Sequence, residues 1–275
     1  MLSVRPQWEP GVDMSRIAWN TAGSHIYEAG VDRGVLYLPE TAGVPWIGLI
    51  SVDENPTGGD AQPLYIDGVK YLNLAAAEEF EATIKAYTYP VEFSECDGSA
   101  QVRPGLFFSQ QQRQYFSLCY RTMVGNEQEG TRLGYKLHLI YNAMATPSSR
   151  SLSTFSDSVE AADFSWSITT TPIWADGHMS TAHIVIDSRY TADYTLAAIE
   201  NILYGTDDDV ARIPDAEDLM DIFDTPLDFT VTDEGDGMFL VAGPTANVYS
   251  IGDNQFTIDH PSVTNVDADT STITY

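Results

Sequence analysis

Histidine has the widest chemical range of any side chain in this sequence, because a neutral imidazole can move a proton or ligate a metal near neutral pH. There are five: His25, His138, His178, His183 and His260. None has the spacing of a zinc protease, two histidines on one helical turn with a glutamate between them. His138 and His183 fall among apolar residues in strand-like stretches and read as hydrogen-bonded histidines on a core or barrel face. His178 follows Asp176-Gly177 and reads as an exposed turn residue. No Gly-x-Ser-x-Gly elbow marks a nucleophilic serine, and no glycine-rich loop with a lysine marks a phosphate site. Asp233-Glu234-Gly235-Asp236-Gly237 has the look of a calcium loop, but Pro244 stands where the bidentate glutamate belongs. A hairpin turn is the better reading there. Asp207-Asp208-Asp209 reads as a solvated loop, with a weak divalent-cation site as the lesser alternative, since three consecutive carboxylates rarely converge on one ion unaided.

With 40 acids in 275 residues, proximity of two carboxylates carries no information about a glycosidase pair. Trp46, Trp166, Trp174, Tyr87 and Tyr89 offer either a sugar-stacking platform or core and interface fill, and the second is commoner in β proteins. Two cysteines, Cys96 and Cys119, are too few for a disulfide framework. Cys119, among Phe116, Leu118 and Tyr120, reads as a small core residue. The sequence therefore assigns no catalytic residue, no cofactor and no metal.

The elements that would hold these residues follow a period of two. Phe80, Ala82, Ile84, Ala86 and Thr88 alternate with Glu79, Glu81, Thr83, Lys85 and Tyr87, which predicts a half-buried strand ended by Pro90. The alanines and glutamates of 75–85 also suit a helix, but the alternation runs on into strand formers. Further strands are predicted at 35–38, 46–52, 115–123, 136–141, 164–170 and 181–187. Turns are predicted at 55–60, 97–98, 125–126, 147–149 and 175–177. Many short strands with regular turns predict a mainly β sandwich or barrel. The period then changes. Leu196, Ile199 and Leu203 share a helical face, with Asp193 or Thr195 as N-cap and Gly205 as the stop. A second short helix is predicted over 215–223, and strands return at 228–232, 238–241, 247–251, 255–258 and 270–275. This divides the chain into a β domain, 1–192, whose residues 1–27 are a candidate arm, and an acidic helical connector with a small β module, 193–275.

The charge is uneven. Residues 1–192 carry a net −10, and 193–275 carry −17 with Arg212 as their one base. A total of −27 repels nucleic acid phosphates and anionic membranes. Lysine is scarce, only Lys70, Lys85 and Lys136, which also suits a salty solvent. No signal-peptide core is seen in 1–10 and no apolar run spans a membrane, so folding in a cytoplasm is expected.

One ordered series of short motifs adds to this reading. It comprises Gly30-Val31-Asp32-Arg33-Gly34-Val35-Leu36-Tyr37, Val44-Pro45-Trp46-Ile47-Gly48-Leu49, Tyr65-Ile66-Asp67-Gly68, Ala86-Tyr87-Thr88-Tyr89-Pro90, Tyr120-Arg121-Thr122 and Gly134-Tyr135-Lys136-Leu137-His138-Leu139. Gln111-Gln112-Arg113, Asp157-Ser158-Val159-Glu160, Thr169-Thr170-Thr171-Pro172, Thr181-Ala182-His183 and Glu200-Asn201-Ile202-Leu203-Tyr204-Gly205 agree with it. The series resembles the major tail tube protein of long-tailed (siphovirus-type) bacteriophages, actinobacteriophage-like, over about residues 28–275.

The resemblance implies a β-sandwich-like subunit without enzymatic activity. Six subunits would form a ring whose inner sheets join into one barrel, and rings would stack into a tube. The implied partners are the subunit itself, a tape measure protein in the lumen, tail terminator and tail-tip proteins, and viral DNA that passes without specific binding. The implied location is the virion tail, assembled in the host cytoplasm. A related tail or capsid component and a carbohydrate-binding β protein are the alternatives. Strand edges paired between identical neighbours in a closed ring would remove the hazard of open edges. An acidic lumen would let DNA slide, and self-repulsion would make assembly faster with added salt. Among individual residues, Arg113 and Arg121 are candidates for pairing across a subunit boundary or, equally, within the subunit. Gly34, Gly48, Gly68 and Gly134 are candidates for turns, bulges or close backbone approach.

Overall fold

The computed structural model describes residues 22–39, 41–59, 61–75, 77–147 and 163–224, and beyond 224 the backbone of six strands. Most of the candidate arm, Ser148-Ser149, Asp157–Glu160, Asp236-Gly237, Pro244 and His260 lie outside the described residues.

The chain begins with β1 (Ile26–Tyr37), β2 (Val44–Trp46) and β3 (Leu49–Glu54). Next come β4 (Thr57–Gly58), β5 (Ala61–Ile66), β6 (Val69–Ala75), β7 (Glu78–Glu79) and β8 (Glu81–Ala86). A 3₁₀ turn, Val91–Ser94, leads to β9 (Ser99–Arg103) and β10 (Leu106–Ser109). The two long strands β11 (Phe116–Asn126) and β12 (Gly130–Ala145) precede β13 (Phe164–Thr170) and β14 (His183–Asp187). Helices α1 (Asp193–Tyr204) and α2 (Ala216–Asp224) follow. The last strands are β15 (Thr230–Gly235), β16 (Met238–Ala242), β17 (Asn247–Gly252), β18 (Gln255–Asp259), β19 (Asn265–Asp267) and β20 (Thr272–Thr274), paired as three hairpins.

The fold is mainly β, as expected, and its sheets are antiparallel. Its main sheet runs β2-β1-β11-β12-β13-β8-β3, with β14 also on β12. The sheet curls until β3 lies against β1. Leu36, Ile84, Leu118, Ile140, Trp166 and Phe93 fill the inside of the curl. Alternate residues face the other way: Val35, Cys119, Leu137, Leu139 and Ile186 meet Leu196, Ile199, Leu203 and Leu219 of the helices. Burial on both faces explains why β11 and β12 lack a clean apolar–polar alternation.

Asn142 sits where β12 changes faces. Leu118 pairs with Ile140 but Phe116 pairs with Ala143, so β12 has one residue more than β11 across this step. Asn142 takes φ +45°, a conformation asparagine tolerates better than most residues. Its side chain donates to Thr171 O, and its N–H donates to Ser117 Oγ. The bulge puts odd-numbered Ala143 and Ala145 inside the curl, although odd-numbered Leu137 and Leu139 lie outside.

The segment 81–86 is a strand and not a helix, with Ala82, Ile84 and Ala86 buried. The predicted strand 46–52 is divided by a turn at Ile47-Gly48. The predicted turn at 125–126 is instead the buried end of β11, and the chain reverses at 127–129. Helix α1 starts at Asp193, so Asp193 and Thr195 lie inside it and Ala192 is the cap, without a side-chain bond. Gly205 ends it at φ +78°. At α2, Asp215 accepts from the Asp218 N–H and Asp218 accepts from the Asp215 N–H, a reciprocal cap. Leu219 is buried, while Phe223 is exposed. Two buried phenols tie the helices to the sheet: Tyr37 donates to Leu203 O at 2.7 Å and Tyr141 to Pro214 O at 2.9 Å. The first satisfies a carbonyl in the last turn of α1, which has no partner within its helix.

Candidate functional site

Two features outside the packed core stand out. The first is a pair of hairpins. β5 and β6 are joined by Asp67-Gly68, at φ +51° and +77°. Two successive positive φ angles make the tight turn that matches strand twist, and an Asp-Gly pair is well suited to it. Along this hairpin Leu64, Tyr65, Ile66, Val69, Tyr71 and Leu74 are all exposed, with Tyr65 at 61%, Val69 at 69% and Tyr71 at 66%. β9 and β10 form the second hairpin, with Val102, Leu106, Phe107 and Phe108 exposed. Large apolar side chains exposed in number along a hairpin mark a surface suited to interaction. The outer edge of β1 is also open: β2 covers only Gly34–Leu36, and among the described residues no other strand pairs with that side of 26–33.

The second feature is a polar cluster on the inner face of the sheet. His138 on β12 is buried, and its ring stacks on Tyr120 of β11 at 4.6 Å and 8°. β14 pairs with β12 so that His183 is the diagonal neighbour of His138, two residues along from its partner Val185. His138 Nδ1 lies 3.2 Å from His183 Nε2. Glu54, the last residue of β3, reaches across the curl. Its Oε1 is 3.5 Å from His138 Nδ1, 3.9 Å from His183 Nε2, and accepts from Tyr120 Oη at 2.8 Å. On the far side of the ring, His138 Nε2 is 3.0 Å from Thr122 Oγ1 and 3.3 Å from Glu28 Oε1, and Glu28 is held by Lys136.

These contacts set the charges. The contact from His138 holds Glu54 down to about 2, against the opposing effect of burial. Burial pushes His183 down to about 4, partly offset by Glu54, so its ring is neutral near pH 7. Burial alone would raise Glu28, but bonds from Lys136 and Thr122 outweigh it and lower the carboxyl.

The other candidates are dispersed. Arg121 makes a bidentate pair with Asp32, Nε to Oδ1 at 2.7 Å and Nη2 to Oδ2 at 2.6 Å, and lies over the Tyr135 ring. Arg113 donates to Ala145 O and Cys96 O and sits 3.8 Å from Asp97. Both guanidiniums are thus engaged within the subunit. Gly34 has no room for a Cβ, which would meet Leu49 Cδ1 at 2.3 Å; Gly134 is closed in the same way by Arg189. Gly48 and Gly68 occupy turns. Trp46 and Trp166 are buried and pack edge-on, so no sugar platform includes them; Trp174 is exposed at 76%. His178 is exposed, and Asp207–Asp209 lie in an exposed loop where Thr206 Oγ1 accepts from the Asp208 and Asp209 N–H groups. Both cysteines are free and buried, and burial pushes each thiol up to about 12.

Sequence reading places His138 and His183 on strand faces but does not bring Glu54 to them. Only the curl that folds β3 over β12 does so. No signal for that contact exists in the local sequence.

No protein-family profile matches this chain, and no curated protein matches it either. Distant likenesses exist among solved structures. One is a chain of the PVC sheath–tube complex of an extracellular contractile injection system, at 15% identity, covering 56% of this chain and 88% of that one, with a TM-score of 0.29. Another is from the anti-feeding prophage tube-terminating cap, at 14% identity, 65% and 99% coverage, and TM-score 0.30. A third is from the anti-feeding prophage baseplate, at 7% identity, 62% and 97% coverage, and TM-score 0.32. Scores of this size carry no inference about this chain.

Proposed function

We propose that this chain is a structural subunit, without catalytic activity, that assembles with copies of itself into a tail tube. The β5–β6 hairpin is the observation that carries the reading. It presents apolar residues along its length and packs chiefly on itself, so the described residues leave that surface largely exposed. Burial against a neighbouring copy would remove it from water at about 25 cal/mol per Å². The open edge of β1 would extend the sheet from one subunit to the next, and a closed ring would leave no edge unpaired. In the finer form of the proposal, drawn from the motif resemblance, six subunits make each ring and the rings stack head to tail. A tape measure protein and then DNA occupy the lumen, terminator and tip proteins close the ends, and the assembled tail is part of a virion.

The test is negative-stain electron microscopy of the purified full chain near neutral pH, across a salt series and with seeded tail fragments. Annular rings or hollow tubes are expected, forming faster as added salt screens a charge of −27 per subunit. Subunits that stay monomeric even when seeded would sink the proposal. A chain in which a short Gly-Ser turn replaces 61–75 should remain folded by circular dichroism and fail to assemble.

A further inference from the structure

We infer that Glu54, His138 and His183 form a binding site for a zinc-type divalent cation that ties β3 across the curl of the sheet to the β12–β14 pair. Three observations carry this.

The first is convergence. One carboxylate oxygen and two imidazole nitrogens lie 3.2, 3.5 and 3.9 Å from one another. Ligands at about 2.0–2.1 Å in tetrahedral array stand about 3.3 Å apart, so only small side-chain adjustments separate this triangle from a coordinated one. Two imidazoles and one carboxylate suit zinc and its first-row neighbours better than calcium or magnesium, which take oxygen ligands. Three protein donors leave the fourth position to water.

The second is the support behind His138. Its outward nitrogen faces the Glu28 carboxylate and the Thr122 hydroxyl. A carboxylate is acceptor-only, and Thr122 has a single proton, which its short bond directs to Glu28. A cation bound at Nδ1 would leave the ring's hydrogen on Nε2, facing those two acceptors, while Nδ1 itself faces Glu54 and His183. A histidine whose far N–H is held by a carboxylate is the usual supporting arrangement at metal sites. Lys136 in turn fixes Glu28.

The third is preorganisation. Tyr120 stacks on His138, and Phe80 packs on His183 at 4.5 Å between ring centroids. Both rings are held in place before any ion arrives, so little side-chain freedom would be lost on binding.

The cation would act as a clamp. β3 is the last strand in the order of the main sheet, and β8 is the one strand it pairs with among the described residues. A bond from Glu54 to two histidines of the opposite wall would close the curl. The site is independent of the assembly reading, since all its residues belong to one chain.

The test begins with the wild-type full chain, stripped with EDTA and titrated with zinc by calorimetry. One saturable site per chain is expected, with a midpoint of unfolding raised by about 5–10 °C at a hundredfold excess over Kd. Cobalt in place of zinc should give the strong visible absorption of a four-coordinate site, and not the weak bands of ions on surface carboxylates. His183→Ala should weaken binding more than a hundredfold. Glu28→Gln should weaken it about 10- to 100-fold through the supporting contact. His178→Ala, on an exposed turn, should leave it unchanged. Absence of a saturable site in the wild type, or one unaffected by His183→Ala, overturns the proposal. If His183→Ala does not fold, the wild-type stoichiometry and cobalt spectrum still decide it.

Discussion

The β11–β12 and β5–β6 hairpins are built from similar residues and treated oppositely by the fold. Both are antiparallel pairs rich in tyrosine, leucine and isoleucine. In the first, Leu118, Tyr120, Leu137, Leu139 and Ile140 are sealed between the inside of the curl and the helices. In the second, the same kinds of side chain are in water. Composition alone therefore does not decide what is core. The difference lies in what the described residues supply: three neighbouring strands and two helices for β12, and no covering layer for β5–β6. Under the proposed function, an apolar hairpin kept out of the core is a surface that assembly would bury.

Substitution should separate the two hairpins cleanly. Leu139→Ala removes a fully buried side chain between sheet and helices and should cost about 2–5 kcal/mol of folding stability, read from urea unfolding. Ile66→Asp with Val69→Asp, on the exposed hairpin, should change stability by less than about 0.5 kcal/mol. It should nonetheless abolish rings and tubes seen by electron microscopy. If the exposed pair destabilised the subunit as much as Leu139→Ala, the hairpin would be core after all and the contrast would fail.

The same contrast explains how much of the fold the sequence discloses. Strands with one face buried announce themselves: 81–86 alternates, and its buried face is Ala82, Ile84 and Ala86. The helix face of Leu196, Ile199 and Leu203 is legible for the same reason, a single apolar stripe. β5 and β6 are not, because Leu64-Tyr65-Ile66 and Tyr71-Leu72 put apolar groups on both faces and no period survives. Asp67-Gly68 is a turn signal rather than a strand signal, and it is not among the predicted turns. β12 is predicted short at its C-terminal end because it changes faces at Asn142, and at its N-terminal end because 130–135, with Gly130 and Gly134, is exposed to half-buried and carries no apolar period. The polar cluster is legible only as two strand histidines, since Glu54 joins them through a contact across the curl between residues 84 or more positions apart in the chain. Arg113 and Arg121 are conspicuous in an acidic sequence, yet no local pattern distinguishes a partner in the same subunit from one in the next.

Asn142 tests whether the packed half depends on its bulge. Valine at this φ meets its own carbonyl, so Asn142→Val should cost about 1–2 kcal/mol, with loss of the bond to Thr171 O included. Asn142→Gly gives up that bond but relieves the backbone, and should cost less. Equal losses for valine and glycine in urea unfolding would mean that the side-chain bond, and not the positive φ, keeps Ala143 and Ala145 facing inward.

The smallest effect concerns Arg121, and its pH dependence identifies the cause. The guanidinium holds Asp32 below the ordinary carboxylate range through its two hydrogen bonds, against a smaller opposing effect of burial. Asp32 is 46% exposed, so solvent screens the pair, and Arg121→Met should cost no more than about 1 kcal/mol at neutral pH. A carboxyl whose folded value is lowered contributes stability that is complete above its unfolded value and is lost as pH falls through the folded one. The gap between wild type and Arg121→Met should therefore hold steady from pH 7 down to about 5 and shrink progressively as pH falls below about 4 through the lowered value of Asp32. A gap that does not shrink between about pH 5 and pH 2 would assign the loss to the packing of Arg121 over the Tyr135 ring instead. Since both hydrogen bonds lie inside one subunit, Arg121→Met should leave ring and tube formation intact. Loss of assembly with stability preserved would make Arg121 an interface residue, and the boundary between the packed sheet and the assembly surface would then have to be drawn through β11.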